Sequence, residues 1–244
     1  MAVIIFRDQG DTDRRPFEDA AAKLFAERAA ASVLLLPHIY HIAEHDDVWA
    51  ELAAIDEAVV CLSWLHPRPS EWVLKRHGIG RAGLTAFDMR AYESPERCVA
   101  ACGEHPPGEP GAIAECAAET ATRWHPVIDR GRCVNCKQCM RFCLFGVYEL
   151  DARFAVRVAN PDNCKPGCPA CARICPSSAI MFPLYEKDEA VAGAPGKFVS
   201  PDAAAKKMFE RRTQLPYQQA DAASDDGLDE LIDDLDRLTR GGRD

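Results

Sequence analysis

The stretch "CVNCKQCMRFC", residues 133–143, places Cys133, Cys136, Cys139 and Cys143 with two, two and three residues between them. A second stretch, "CKPGCPACARICP" at 164–176, carries Cys164, Cys168, Cys171 and Cys175, the last followed by Pro176. Three chemistries compete for such spacing. Zinc takes two ligands from each of two C-x2-C knuckles set apart by a longer loop, because a tetrahedral ion is closed from both sides. Here three cysteines crowd one loop and a fourth lies just beyond, twice over, which suits a loop wrapped around the corner irons of a cube with its fourth cysteine projecting away. A disulfide framework is the third reading, and it depends on compartment.

The remainder of the chain bears on that choice. The 244 residues are 48% hydrophobic and 27% charged, ordinary for a chain with a buried core. "MAVIIFRDQGDTDRRP" has too short an apolar run for a secretion signal, and "AVVCLSWL" falls far short of the roughly 20 residues that span a bilayer. The expectation is a cytoplasmic protein with no membrane segment, in a reducing compartment where close cysteines point to metal or redox chemistry rather than disulfides. Net charge is −9 with no basic run, which argues against a nucleic-acid partner. From Ala220 onward there are nine acidic and three basic residues, so two thirds of the excess charge sits on the last tenth of the chain.

Residues 124–185 resemble a bacterial-type ferredoxin domain, on "CVNCKQC…C" and on "CPACARICPSSAI", with its Cys-Pro and small-residue helix start. The resemblance implies two [4Fe–4S] clusters. Cys133, Cys136, Cys139 and Cys175 would hold one, and Cys164, Cys168, Cys171 and Cys143 the other. It also implies one-electron transfer at low potential. Two positions depart from the pattern: Leu144 stands where proline usually follows, and three residues rather than two separate Cys164 from Cys168, with Gly167 able to take the strain. "FGVYELDARFAVRVAN" reads as a strand, turn and strand between the two motifs.

Residues 1–90 read as a small α/β domain. "AVIIF" (2–6), "SVLLL" (32–36), "AVVCLSW" (58–64) and "GLTAF" (83–87) are apolar runs separated by helical stretches, including one capped by Ser70 and closed by Gly78. Continuous apolar strands alternating with helices indicate a parallel sheet. Residues 91–123 read as a helical connector of two helices, "ERCVAACGE" after Ser94-Pro95 and "GAIAECAAETATR". Residues 186–244 read as a linker and flexible acidic tail. There Ser200-Pro201 starts one helix, and Leu228, Leu231, Ile232, Leu235 and Leu238 share a face of another that folds back or docks into a partner groove.

The remaining chemistry is sparser. Cys98 and Cys102 stand four apart, as a third metal site or as packing; Cys61 and Cys116 read as buried apolar residues, in a strand and an Ala-rich helix. Within "PHIYHIAEH", His38 follows the second strand and stands near His41 and His45. His66 follows the third strand, Asp88 the fourth, and Arg7 and Asp8 the first. The carboxyl edge of an open parallel sheet is where ligands settle, so His38, His66 and Asp88 mark a candidate crevice for a small ligand. The alternative is that polar residues merely end strands. Trp64 and Trp72 either face the cysteine region or fill the core. "GIG" at 78–80 lacks the rest of a dinucleotide fingerprint, and no P-loop is present. The function that follows is an iron–sulfur electron carrier or oxidoreductase subunit serving a partner oxidoreductase, more than a self-contained enzyme. The alternatives are an oxidoreductase whose N-terminal domain holds a substrate that the clusters reduce, and a structural or assembly protein whose clusters brace the fold.

Overall fold

The computed structural model describes residues 1–29, 31–103 and 110–196. The helices expected from Ser200 and around Leu228–Leu238 lie outside the described residues.

Residues rich in Val, Ile and Leu form the centre of a parallel sheet. Strand β1 (Ala2–Phe6) pairs with β2 (Ser32–Leu36) on one side and β3 (Val59–Ser63) on the other. Strand β4 (Leu84–Asp88) joins β3. Every residue of β1 and β3 is buried. These strands lose the usual alternation because helices cover both faces. The chain steps from β1 to β2 in one direction, then back across to β3 and β4. Right-handed crossovers therefore put helices on opposite sides. Helix α1 (Arg15–Ala29) and α4 (Pro95–Ala101) enclose a core with Val3, Ile5, Phe25, Leu62 and Cys98. Helices α2 (Val48–Ala53) and α3 (Pro67–Arg76) cover Ile4, Phe6, Leu36, Trp49 and Cys61 on the other face.

Three local expectations are corrected. Helix α3 starts three residues before Ser70, with Pro67 in its first turn and His66 as cap. Ser70 is buried inside it, its hydroxyl shared with Ser63 at 2.8 Å; a proline preset for the first turn outweighed a serine cap. The stretch "GAIAECAAETATR" is not a helix. Its start is strand β5 (Ile113–Glu115), parallel to β2, giving the order β4-β3-β1-β2-β5. The open edge of β2 supplies the reason: Val33 N–H donates to the Ala112 carbonyl and Cys116 N–H to that of Leu35, satisfying groups left bare by a helix. A Cβ on Gly111 would fall 2.0 Å from the Ala31 carbonyl oxygen, so only glycine allows this approach. Residues 91–115 thus extend the α/β layer rather than forming a separate helical connector. The third correction is at "CPSSAI": the residues after Cys175 make a turn into a strand, with Ser178 at φ 51°, not a helix start.

The cysteine-bearing region is built of short elements: β6 (Val127–Ile128), α5 (Gln138–Phe142), β7 (Tyr148–Leu150), β8 (Val156–Val158), α6 (Ala170–Ile174), β9 (Ile180–Met181) and α7 (Glu189–Ala192). Strands β6 and β9 pair antiparallel, and β7 and β8 form the hairpin between the motifs. Its turn is tied by Asp151, whose carboxylate accepts from the backbone N–H of Arg153 and Ala155. This region is joined to the sheet through its interior. Val127 and Met181 complete the core beneath α2 and α3. Arg68 of α3 donates to the Ser178 carbonyl at 2.9 Å and faces Asp129 at 3.4 Å. The buried Tyr40 hydroxyl donates to the His125 carbonyl and accepts from the His125 N–H.

Candidate iron–sulfur site

Each motif folds as a tight loop followed by a one-turn helix. In the first, Asn135 and Lys137 adopt left-handed φ of 51° and 61°, uncommon for residues with a Cβ. The loop is held by Asn135, whose amide donates to the Phe154 carbonyl and accepts from Val156 N–H, fastening it to the hairpin. In the second loop the left-handed position falls on Gly167, φ 73°, within the extra length before Cys168. Cys143 and Cys175 sit at the ends of α5 and α6, which carry them beyond their own loops.

The side chains then sort into two cavities. One is lined by Cys133, Cys136, Cys139 and Cys175, the other by Cys143, Cys164, Cys168 and Cys171. In each, three cysteines come from one motif and the fourth from the other. Among the described residues no three His, Cys, Asp or Glu side chains gather to hold one metal ion. The linings are therefore spread around cavities and are not closed on single points.

The surroundings fit sulfur-bound iron. Backbone N–H groups turn inward: that of Ala179 donates to the Cys175 sulfur at 3.3 Å, and those of Asn135, Met140 and Ala172 face the sulfurs of Cys133, Cys139 and Cys171. Such donors stabilise negative charge on thiolates and sulfides. The Tyr148 hydroxyl is buried without an oxygen or nitrogen partner and lies beside Cys171, near Cys139 and Cys143. The Cys171 sulfur is the acceptor beside this hydroxyl, and a cluster bound in the cavity would offer it further sulfur acceptors. Burial pushes the Cys139 and Cys164 thiols up to about 12 and the Cys171 thiol to about 11. Bare thiols would keep their protons; iron displaces them.

The other sequence candidates divide. Cys61 is fully buried in β3, and burial pushes its thiol up. Cys98 and Cys102 share a face of α4, the Cys102 thiol donating to the Cys98 carbonyl at 3.2 Å. Cys116 packs partly buried against the core next to β5. His41 accepts from Arg123 N–H, and His45 lines a separate cavity near Trp72 and Arg76. Trp72 lines that cavity with Pro126, Val127 and Ile128 and packs, half-buried, against the core beneath α2 and α3, while Trp64 packs against the core on the other face.

His38, His66 and Asp88 do meet, in a cleft that Asp8 also lines. His66 Nδ1 lies 3.6 Å from an Asp88 carboxylate oxygen. Burial lowers the His66 imidazole below its ordinary value, helped by Arg90 and opposed by Asp88. Arg7 instead turns inward, to Glu18 and Asp19 at 3.1 and 2.9 Å. Glu18 was not legible as a site residue. Fully buried on α1, it also accepts from Asp8 N–H and from the Trp64 indole, tying the ends of β1 and β3 together. Its neighbours in "FEDAAAKLF" give no sign that this one carboxylate faces inward.

Paired four-cysteine linings around two short helices define a ferredoxin-type iron–sulfur domain. Comparison with known proteins agrees. The chain is 43% identical over 61 residues to an uncharacterized ferredoxin of Methanocaldococcus jannaschii, a match covering 25% of this chain and 41% of that protein. It is 35% identical over 68 residues to Ferredoxin-3 of Nostoc sp., covering 21% of this chain and 69% of that protein. To the pyruvate synthase subunit PorD of Methanocaldococcus jannaschii it is 33% identical over 79 residues, covering 32% of this chain and 90% of that subunit. The chain belongs to the ferredoxins, through a fifth to a third of its length. No family model matches it, nor does any solved structure. Among the described residues no helix is long and apolar enough to cross a membrane.

Proposed function

We propose that the chain transfers single electrons through two [4Fe–4S] clusters, to or from a partner oxidoreductase. Cys133, Cys136, Cys139 and Cys175 hold one, and Cys143, Cys164, Cys168 and Cys171 the other. The observation that carries the reading is the exchange of fourth cysteines: Cys175 lines the cavity of the first motif and Cys143 that of the second. Bound there, the clusters supply reversible one-electron redox chemistry. The chain's own residues orient thiolates, donate N–H groups to sulfur and exclude water, with Ile128, Val156 and Ile180 walling the first cavity. The second cavity opens among exposed apolar side chains. Leu144, standing where proline is usual, is 91% exposed beside Phe142 and Phe145. An apolar patch at the cluster's edge is where a redox partner would dock.

Anaerobic purification with iron and sulfide assay, followed by EPR during stepwise reduction, tests this. About eight irons per chain and two interacting S = 1/2 signals are expected. Zinc without sulfide would sink the proposal, and about four irons would mean one lining stays empty. A substrate-reducing oxidoreductase is favoured by one observation, the cleft that gathers His38, His66 and Asp88. A small molecule that copurifies and is reduced on cluster oxidation would establish it.

A further inference from the structure

The cleft at the carboxyl end of the sheet occupies a particular place. Strand order β4-β3-β1-β2-β5 reverses between β1 and β3, and open α/β sheets bind ligands outside the carboxyl ends of the strands at that reversal. Asp8 follows β1, Trp64 and His66 follow β3, and all three line the cleft. Its far wall is Pro183, Leu184 and Tyr185, beyond β9. The volume is about 990 Å³, at the upper end of small-molecule sites.

The polar groups decide what fits. In phosphate-binding sheets of this kind, the loop after β1 offers free backbone N–H groups to an anion. Here Asp8 fills that position itself: one carboxylate oxygen accepts from the N–H of Gly10 and Asp11 at 2.8 and 3.0 Å, and the other takes Arg14 at 2.5 Å. The protein's own carboxylate thus stands where a phosphate would. The other cation is neutralised as well, since Arg90 is bound through two nitrogens to both oxygens of Asp88 at 2.7–3.1 Å. Glu186 and Glu189 add further negative charge to the lining. An anionic ligand would enter against four carboxylates with both arginines already engaged.

The remaining lining is aromatic and neutral. Phe87 and Tyr92 line the sheet side together with the edge of Trp64, whose ring face the Arg14 guanidinium covers at 4.5 Å, and Tyr185 lines the cleft from beyond β9. His38 is 6% exposed, and its Nδ1 accepts from Tyr40 N–H at 3.3 Å. That fixes the proton of the neutral ring on Nε2, which has no protein partner among the described residues. We propose that this cleft binds a planar, non-phosphorylated heteroaromatic molecule, uncharged or cationic, held between the aromatic walls with the imidazoles of His38 and His66 meeting its ring heteroatoms. The inference goes beyond electron carriage and needs no redox step, so its outcome is independent of cluster function.

Two probes sharing one ring system and differing in charge test it: lumiflavin, which is neutral, and FMN, which carries a phosphate. Equilibrium dialysis against the full-length protein is expected to show lumiflavin bound at least tenfold more tightly than FMN. Tyr92→Ala should weaken lumiflavin binding about tenfold while iron content stays as in the wild type. Asp8→Ser, which vacates the position of the internal carboxylate, should narrow or invert the discrimination against FMN. The proposal is overturned if lumiflavin does not bind at millimolar concentration, if FMN binds the wild type equally well or better, or if Tyr92→Ala binds lumiflavin as the wild type does.

Discussion

The α/β region and the cysteine region share one core at Val127 and Met181, yet they hold their shapes by different means. The sheet is stabilised by apolar burial on two faces: Val3, Ile4, Ile5, Leu62 and Phe25 are all fully sequestered. The cysteine region has strands of two or three residues and helices of four or five. Three of its turns place side-chain-bearing residues at positive φ: Asn135 and Lys137 in the first cysteine loop, Phe154 in the hairpin turn and Ser178 after Cys175. Elements that short are not independently stable. The comparison sets a region with long, doubly covered strands beside one of short elements around a smaller core, where bound clusters would supply much of the order.

The largest effect should come from removing iron. Chelation under reducing conditions, read by hydrogen exchange, is expected to expose amides across residues 133–181 by orders of magnitude while β1 to β4 keep their protection. Uniform loss through the whole chain would break the comparison: the shared core at Val127 and Met181 would then make the sheet depend on the clusters too. Unchanged protection throughout would mean that apolar packing around Ile180 and Phe182 suffices without metal.

The same contrast explains what could be read in advance. The cysteine motifs are local: ligand spacing within eleven or twelve residues carries the chemistry, so the loops and the hairpin follow from sequence order. Strands β1 to β4 were also legible, because continuous Val, Ile and Leu runs bounded by polar residues have few other uses. The failures are mostly long-range, with Ser70 and the turn after Cys175 as local exceptions. "GAIAECAAETATR" has helical composition, and only the open edge of β2 makes its beginning a strand. Ser70 looks like a cap until Pro67 starts the helix a turn earlier. His38, His66 and Asp88 could be placed at strand ends, but Arg14, Arg90, Tyr92 and Tyr185 reach the same cleft through contacts the sequence does not encode locally. Glu18 looked like one more acid on a helix surface.

A smaller effect concerns the seam between the regions. The Tyr40 hydroxyl, buried beneath stacked His125, satisfies both the N–H and the C=O of that residue. Tyr40→Phe removes the oxygen and leaves two backbone groups without partners in a dry site. A loss of about 2–3 kcal/mol is expected in denaturant unfolding, with iron content unchanged. An effect below about 0.5 kcal/mol would mean that water enters the seam and replaces the hydroxyl. The two regions would then be less firmly joined than their shared core suggests.

The smallest effect separates the regions by pH. Burial, with His41 and Arg14 nearby, holds the His38 imidazole at about 4, against the partial opposition of Asp8, while an unfolded chain titrates near 6.5. Below 6.5 the unfolded state therefore binds a proton that the folded state refuses, and stability falls with pH until about 4. Between pH 7 and pH 5 the loss from this one residue is about 2 kcal/mol. His38→Gln keeps an acceptor for Tyr40 N–H and cannot titrate. Its stability should thus drop less than the wild type's over that interval by about the same 2 kcal/mol, measured by denaturant midpoints at the two pH values. His77, held at about 4, and His125, also lowered by burial, titrate in the same direction, so the variant flattens the acid limb without removing it. Any acid loss of iron affects wild type and variant alike and cancels in the difference. Equal slopes for the two proteins would mean that water reaches His38 in solution. The floor of the cleft would then be open, and the neutral imidazole would no longer distinguish the sheet's carboxyl edge from an ordinary polar surface.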